Sequence, residues 1–178
     1  MNSIESLKQK LSEAHIWEAS HTFQRWDYLK REDSANTNLY FIDEGCVRVY
    51  FKEGEYEHSL YFGYKNSLIS ALDSFLSENT SPILIQCLQK TTVRIISKSK
   101  FNQFIKEDSV AFNLWLEALS ELNQFQLERE KDLLIQSPRL RYNRVLSRQP
   151  LLFQYVPHKY IASYLRMTPE TLSRILNS

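Results

Sequence analysis

The chain contains no apolar run approaching the ~18 residues that a membrane-spanning helix needs. It shows no charged-then-apolar leader after Met1, and it has two cysteines in 178 residues. These absences argue against a helical membrane protein and a disulfide-stapled scaffold, so a soluble cytoplasmic protein is expected. Cys46 and Cys87 both stand in apolar, strand-like runs. Buried free thiols in a reducing cytoplasm are the favoured reading, with a single disulfide as the alternative. Two cysteines cannot supply the roughly four thiolates of an iron–sulfur cluster. His15, His21, His58 and His158 are scattered without metal-ligand spacing. No nucleophile–base pair or phosphate loop stands at a recognisable spacing, so neither an enzyme nor a cofactor is expected. The length allows one large domain, or a medium and a small one, with a core that needs no staples.

Acidic residues are nearly missing from one end. Residues 137–178 hold seven Lys and Arg but a single acid, Glu170, for a net charge of +6. Residues 1–136 carry 15 basic and 20 acidic residues, net −5, and the whole-chain value of +1 conceals the division. A small basic module on an acidic body fits a polyanionic partner better than it fits a merely solvated basic face.

What is present divides by hydrophobic period. Ile4, Leu7, Leu11, Ala14 and Trp17 predict an amphipathic helix over residues 4–19. From Asn38 to Ile96 the pattern becomes strand-like: Leu39–Ile42, Val47–Phe51, His58–Phe62, Pro82–Leu88 and Thr92–Ile96. Turns are expected at Asp43-Glu44-Gly45 and Glu53-Gly54-Glu55. Such short strands predict an antiparallel roll, interrupted by a helical or irregular segment from Leu68 to Leu76. Ser97 or Ser99 should cap a short helix through Ile105, and a long helix free of Pro and Gly should run from Ser109 to Leu134. The apolar stripe of that helix includes Leu116, Leu119, Leu122 and Phe125. Either it covers the roll or it pairs with a second copy; pairing is favoured, because 26 residues span ~39 Å. Ser137-Pro138 is the candidate hinge.

Helices are then expected over Pro138–Arg148 and His158–Leu165, with a third beginning at Thr168-Pro169-Glu170. Thr168 suits the cap, Pro169 the first helical position and Glu170 the positive end of the dipole. With only Arg166 and Met167 between Leu165 and Thr168, the last two helices must cross steeply, as in a helix-turn-helix. Ile161, Ala162 and Leu165 would face Leu172 and Ile175 across the turn, leaving Pro169, Glu170, Ser173, Arg174 and Asn177 outward. Arg can pair with guanine and Glu with cytosine in a major groove. Arg166 falls at a turn position that favours Gly, at a cost of ~1 kcal/mol.

The segments Lys159-Tyr160-Ile161-Ala162-Ser163-Tyr164-Leu165 and Thr168-Pro169-Glu170-Thr171-Leu172-Ser173-Arg174-Ile175 closely resemble the helix-turn-helix of the Crp/Fnr family. Leu39 to Tyr50 resembles that family's first β-roll hairpin, with its Gly at Gly45. The resemblance implies an α+β fold: an N-terminal antiparallel β-roll of cyclic nucleotide-binding type (1–108), a long dimerisation helix (109–136) and a C-terminal helix-turn-helix domain (137–178). It further implies a transcription regulator that binds double-stranded DNA as a homodimer on a pseudo-palindrome and works with RNA polymerase, with a small-molecule effector of unknown identity as a further candidate partner. Glu170 and Arg174 match base-reading positions, Thr168 a phosphate contact, and His158 and Lys159 backbone contacts. The alternative is a ligand-sensing or protein-interaction β-roll module with lost or weak DNA binding.

Two departures from the family pattern matter. Ser70-Ala71 stands where cyclic-nucleotide members carry Gly-Glu, and Ser81-Pro82 where they carry Arg-Ser. Without that Arg and that Glu, cyclic AMP is not expected to bind in the familiar mode. The family pattern also continues beyond the recognition helix into a β-hairpin wing, which is expected to be missing here, together with its backbone contacts.

Overall fold

The computed structural model describes residues 3–177. In chain order the elements are α1 (Ser3–Glu13), β1 (Ala19–Phe23), β2 (Tyr28–Lys30), β3 (Leu39–Glu44), β4 (Cys46–Glu53), β5 (Tyr56–Tyr64), β6 (Leu68–Ile69), α2 (Leu72–Ser77), β7 (Leu84–Cys87) and β8 (Thr91–Ile96). Helices α3 (Lys98–Glu107), α4 (Ser109–Leu134), α5 (Pro138–Arg148), α6 (Pro150–Tyr155), α7 (His158–Tyr164) and α8 (Pro169–Leu176) complete the chain. The fold is α+β, and no helix among the described residues is long and apolar enough to cross a membrane.

Two four-stranded antiparallel sheets form the roll, in the orders β1-β8-β3-β6 and β2-β7-β4-β5. Strand alternation explains the interior: Tyr40, Ile42, Val47, Val49, Ile85, Cys87 and Val93 point between the sheets. The alternate residues are buried too. Leu39 and Ile96 pack with Leu7 and Leu11 of α1, Phe101 of α3 and Ala111 of α4. Cys46 belongs to a third cluster, with Val145, Leu152, Tyr164 and Leu172 of the C-terminal helices. The cysteines are free buried thiols, and burial pushes Cys46 up to about 12 and Cys87 up to about 11.

Several boundaries differ from the sequence pattern. The first helix stops at Glu13, and His15 turns into left-handed backbone at φ 52°. The Glu18 amide then donates to the Ile95 carbonyl at 2.9 Å, which draws the chain into β1. Trp17 lies outside the helix, its ring centre 6.3 Å from that of Phe41. Strands β3 and β4 lie in different sheets, so Asp43-Glu44-Gly45 is a corner between sheets rather than a hairpin turn. Gly45 is required there: its φ is +107°, and a Cβ would fall 2.6 Å from the Thr91 backbone. Gly54, by contrast, does sit in the β4–β5 hairpin turn.

The long helix runs over the predicted span. Its cap is Asp108, whose carboxylate accepts from the Val110 and Ala111 amides, both at 2.9 Å, and from Lys10 Nζ at 2.8 Å. Helix α1 is further tied to the roll through Asp43, which accepts from Arg94 Nε and Nη2 at 2.8 and 2.6 Å and pairs with Lys8 at 3.1 Å. Burial alone would raise the Asp43 carboxyl, but the hydrogen bonds and charges of Arg94 and Lys8 outweigh it and hold the carboxyl below its ordinary value. A depressed carboxylate stabilises the fold above its unfolded pKa, and that contribution disappears as pH falls through the native pKa. Asp43→Asn should therefore lower the melting temperature at neutral pH. The gap from the parent protein should close as the pH drops below the ordinary carboxylate range, as calorimetry across pH would record.

Candidate nucleic-acid interface

The last two helices pack on each other across the short turn that the sequence predicts. Ser163 O accepts from the Arg166 amide at 3.1 Å and Ala162 O from the Met167 amide at 3.0 Å, which closes the turn. Arg166 adopts φ 48°, the left-handed conformation that the short connection demands. Ile161, Ala162, Leu165 and Leu172 are buried at the crossing, with Met167 and Ile175 half-buried beside them. Thr168 caps α8, its Oγ1 accepting from the Thr171 amide at 3.2 Å, and Pro169 occupies the first turn. The Glu170 carboxyl is held below its usual range by its own backbone amide and by the Thr168 hydroxyl.

These bonds decide what faces solvent. Thr168, Pro169, Glu170, Ser173, Arg174 and Asn177 are all exposed along α8, and His158 and Lys159 are exposed at the start of α7. All eight residues singled out in the sequence are thus exposed. Arg174 Nε reaches back to Glu170 O at 3.5 Å, a weak tether that leaves the guanidinium available.

The opposite side of the pair was not anticipated from the sequence. Tyr160 and Tyr164, one turn apart on α7, are buried against the roll, as is Arg48 on β4. Asp132, near the end of α4, is fully buried and pairs with Arg144 Nε at 3.0 Å and with Arg148 Nη2. Glu128 also pairs with Arg144, at 3.0 Å. One signal was present: Arg48 interrupts the apolar run Cys46-Val47-Arg48-Val49-Tyr50 at an outward position, so its face had to be covered by something polar or aromatic.

Most of the residues around Ser70 and Ser81 have polar partners within the roll. Ser70 and Ser81 are buried beside Ala71, whereas Pro82 is exposed. Ser70 Oγ donates to Asn38 O at 3.2 Å, and Ser70 O accepts from Tyr61 at 2.7 Å. Lys30 is the cation buried beside Ser81. Its three N–H bonds go to the carbonyls of Arg31, Ser81 and Ile83, at 3.0, 2.9 and 2.7 Å. Arg94 is committed to Asp43 and Arg48 to Glu57.

Along α4, Phe112, Leu116 and Leu127 are 44–50% exposed. Leu119, Leu122 and Phe125 are half-buried and line grooves against the roll. Contiguous apolar side chains left this open are a surface suited to a partner.

No protein-family model and no curated protein matches the sequence. Solved structures do match. A doubly substituted mutant of CooA from Carboxydothermus hydrogenoformans aligns with a TM-score of 0.76 at 18% identity, over 99% of this chain and 83% of that one. The c-di-GMP-responsive global regulator CLP of Xanthomonas campestris aligns at 0.73 and 14% identity, over 96% and 90%. FixK2 from Bradyrhizobium japonicum aligns at 0.72 and 19% identity, over 89% and 82%. The chain has the fold of the Crp/Fnr regulators, a cyclic nucleotide-binding-type roll followed by a helix-turn-helix.

Proposed function

We propose that this chain is a non-enzymatic, cytoplasmic transcription regulator that binds duplex DNA as a homodimer and acts with RNA polymerase. The division of labour is that read from the sequence: roll over 1–108, dimerisation helix over 109–136 and DNA-binding domain over 137–178. The observation that carries the reading is the open face of α7 and α8. It gathers Lys159, Thr168, Glu170, Ser173 and Arg174 on a capped helix pair, in a segment of net charge +6. Base-edge recognition is assigned to Glu170 and Arg174, with Pro169, Ser173 and Asn177 beside them; phosphate contacts are assigned to His158, Lys159 and Thr168. Replacing Arg174 with Ala should cost roughly 1–3 kcal/mol on the best site and relax its sequence preference. Lys159→Ala should instead weaken all duplexes alike and lower the salt slope by ~1. Fluorescence anisotropy on specific and random duplexes at several salt concentrations separates the two. Equal losses on both duplexes for Arg174→Ala would remove it from the base-reading set.

Dimerisation is assigned to α4 through Leu116, Leu119, Leu122 and Phe125, and the structure adds Phe112 and Leu127, exposed on the same face as Leu116, while Leu122 and Phe125 turn toward the roll. Each such side chain contributes ~1.5–3 kcal/mol when fully buried. Leu116→Glu with Leu127→Glu touches residues about half-exposed in the monomer, so the fold should survive. Sedimentation should then show a monomer with greatly weakened operator binding. A parent protein that is monomeric at tens of micromolar would contradict the assignment.

Control by cyclic AMP in the familiar mode is excluded from the proposal. Ser70, Ala71, Ser81 and Pro82 offer no charge to a cyclic phosphate, and Lys30 has spent its donors on carbonyls. Titration calorimetry should detect no saturable binding of cyclic AMP or cyclic GMP; micromolar binding would require Lys30 or Arg94 to leave its present partners.

A further inference from the structure

The helix that precedes the recognition helix is gripped from two sides, and neither grip uses a residue of the exposed polar set. On the roll side, β5 is the edge strand of its sheet. Edge strands leave outward backbone groups without ladder partners. Ser163 of α7 satisfies two of them with one hydroxyl, donating to Glu57 O at 2.8 Å and accepting from the Ser59 amide at 3.1 Å. The same two residues hold Arg48, whose Nε donates to Ser59 Oγ at 2.9 Å and whose Nη1 donates to Glu57 Oε2 at 2.5 Å. The Arg48 guanidinium lies 4.0 Å from the ring centre of Tyr160 and 4.1 Å from that of Tyr50. Its Nη2 meets no hydrogen-bond acceptor among the described residues, so the aromatic faces carry the rest of its stabilisation. Phe62 of β5 meets Tyr164 edge-on at 5.7 Å.

On the α4 side, Arg129 stacks 3.8 Å over the other contact ring, Tyr164. Arg141 bridges the end of α4 to the helix-turn-helix turn, donating to Ile135 O at 3.0 Å and to Arg166 O at 3.3 Å. Two tyrosines one helical turn apart therefore carry an arginine each, one from the roll and one from the long helix.

We infer that Tyr160, Ser163 and Tyr164 form a positioning seat, with Arg48 and Arg129 as its positioning residues, that holds α8 at a fixed orientation for reading two half-sites at once. The consequence for DNA rests on the proposed function; the seat itself does not. The seat preorganises rather than masks, because the residues it occupies are distinct from the exposed set His158, Lys159, Thr168, Glu170, Ser173 and Arg174. A dimer reads two half-sites only when both recognition helices are held at the spacing of the grooves, and freedom lost on binding weakens the complex.

The test places spin labels at exposed Ser20 of β1 and exposed Leu176 of α8 in the intact chain, where the native thiols are buried and resist labelling. Pulsed-dipolar distance distributions are recorded for the parent, Ser163→Ala, Ser163→Thr and Arg48→Met, alongside binding to the best selected duplex and to a random one. Ser163→Ala and Arg48→Met should broaden the distribution and weaken the selected duplex by about tenfold or more, with random duplex changed less than about twofold. Ser163→Thr, which keeps the hydroxyl, should stay close to the parent. If Arg48→Met fails to fold, Ser163→Ala carries the test. An unchanged distribution in Ser163→Ala overturns the seat, and a gain in operator affinity overturns its preorganising role. If the parent binds no duplex, the DNA reading fails while the distance measurement still decides the seat.

Discussion

The carboxylate of Asp132 has no exposure to solvent, and a charge so placed is tolerated only when it is paired. Its partners, Arg144 and Arg148, both belong to α5, so the ion pair fixes the angle at which the chain leaves the long helix. The segment Ile135-Gln136-Ser137 is consequently a bent joint with its exit direction set. Ser137 caps α5 by accepting from the Leu140 amide, and Arg141 closes over the joint onto Ile135 O. Everything downstream inherits that direction: α5 and α6 bury Val145 and Leu152 against Cys46 of the roll, α7 docks on β5, and α8 projects outward. In the proposed dimer, the symmetry axis along α4 and the two reading helices are thereby connected through buried charge.

The helices were legible in the sequence wherever chain-local chemistry fixes them. The span of α4 follows from 26 residues without Gly or Pro, α5 begins at Ser137-Pro138, and Thr168-Pro169-Glu170 specifies the start of α8. The exposed polar set was legible for the same reason, since turn length and apolar spacing determine which residues of a helix pair point outward. What escaped depends on contacts between distant segments. Strand β1 has the burial pattern of a surface ribbon and is defined by its pairing with β8, more than 60 residues away. Strands β2 and β6 are three and two residues long, too short to display a period. Helix α6 is a single apolar stretch after Pro150, with no polar face to mark it. The burial of Tyr160, Tyr164, Arg48 and Asp132 depends on where α7 lands, and no local pattern encodes that.

The same contrast holds around Ser70 and Ser81, which precede α2 and β7 and whose polar groups bond within the roll itself. Tyr61 donates to Ser70 O, Lys30 crosses from β2 to the carbonyls of Ser81 and Ile83, and burial lowers the pKa of the lysine's ammonium. A cation that completes the backbone hydrogen bonding of a loop gives the loop rigidity without a ligand. The roll is then a platform for α4 and α7.

Whether the capped helix pair reads DNA as half of a symmetric dimer is tested most directly by in vitro selection from randomised duplexes with the intact chain. The predicted result is enrichment of an inverted repeat whose half-site centres lie about one helical turn, ~34 Å, apart, with affinity falling steeply as salt is raised. Failure to enrich any sequence, or enrichment of a single unpaired half-site, would contradict it.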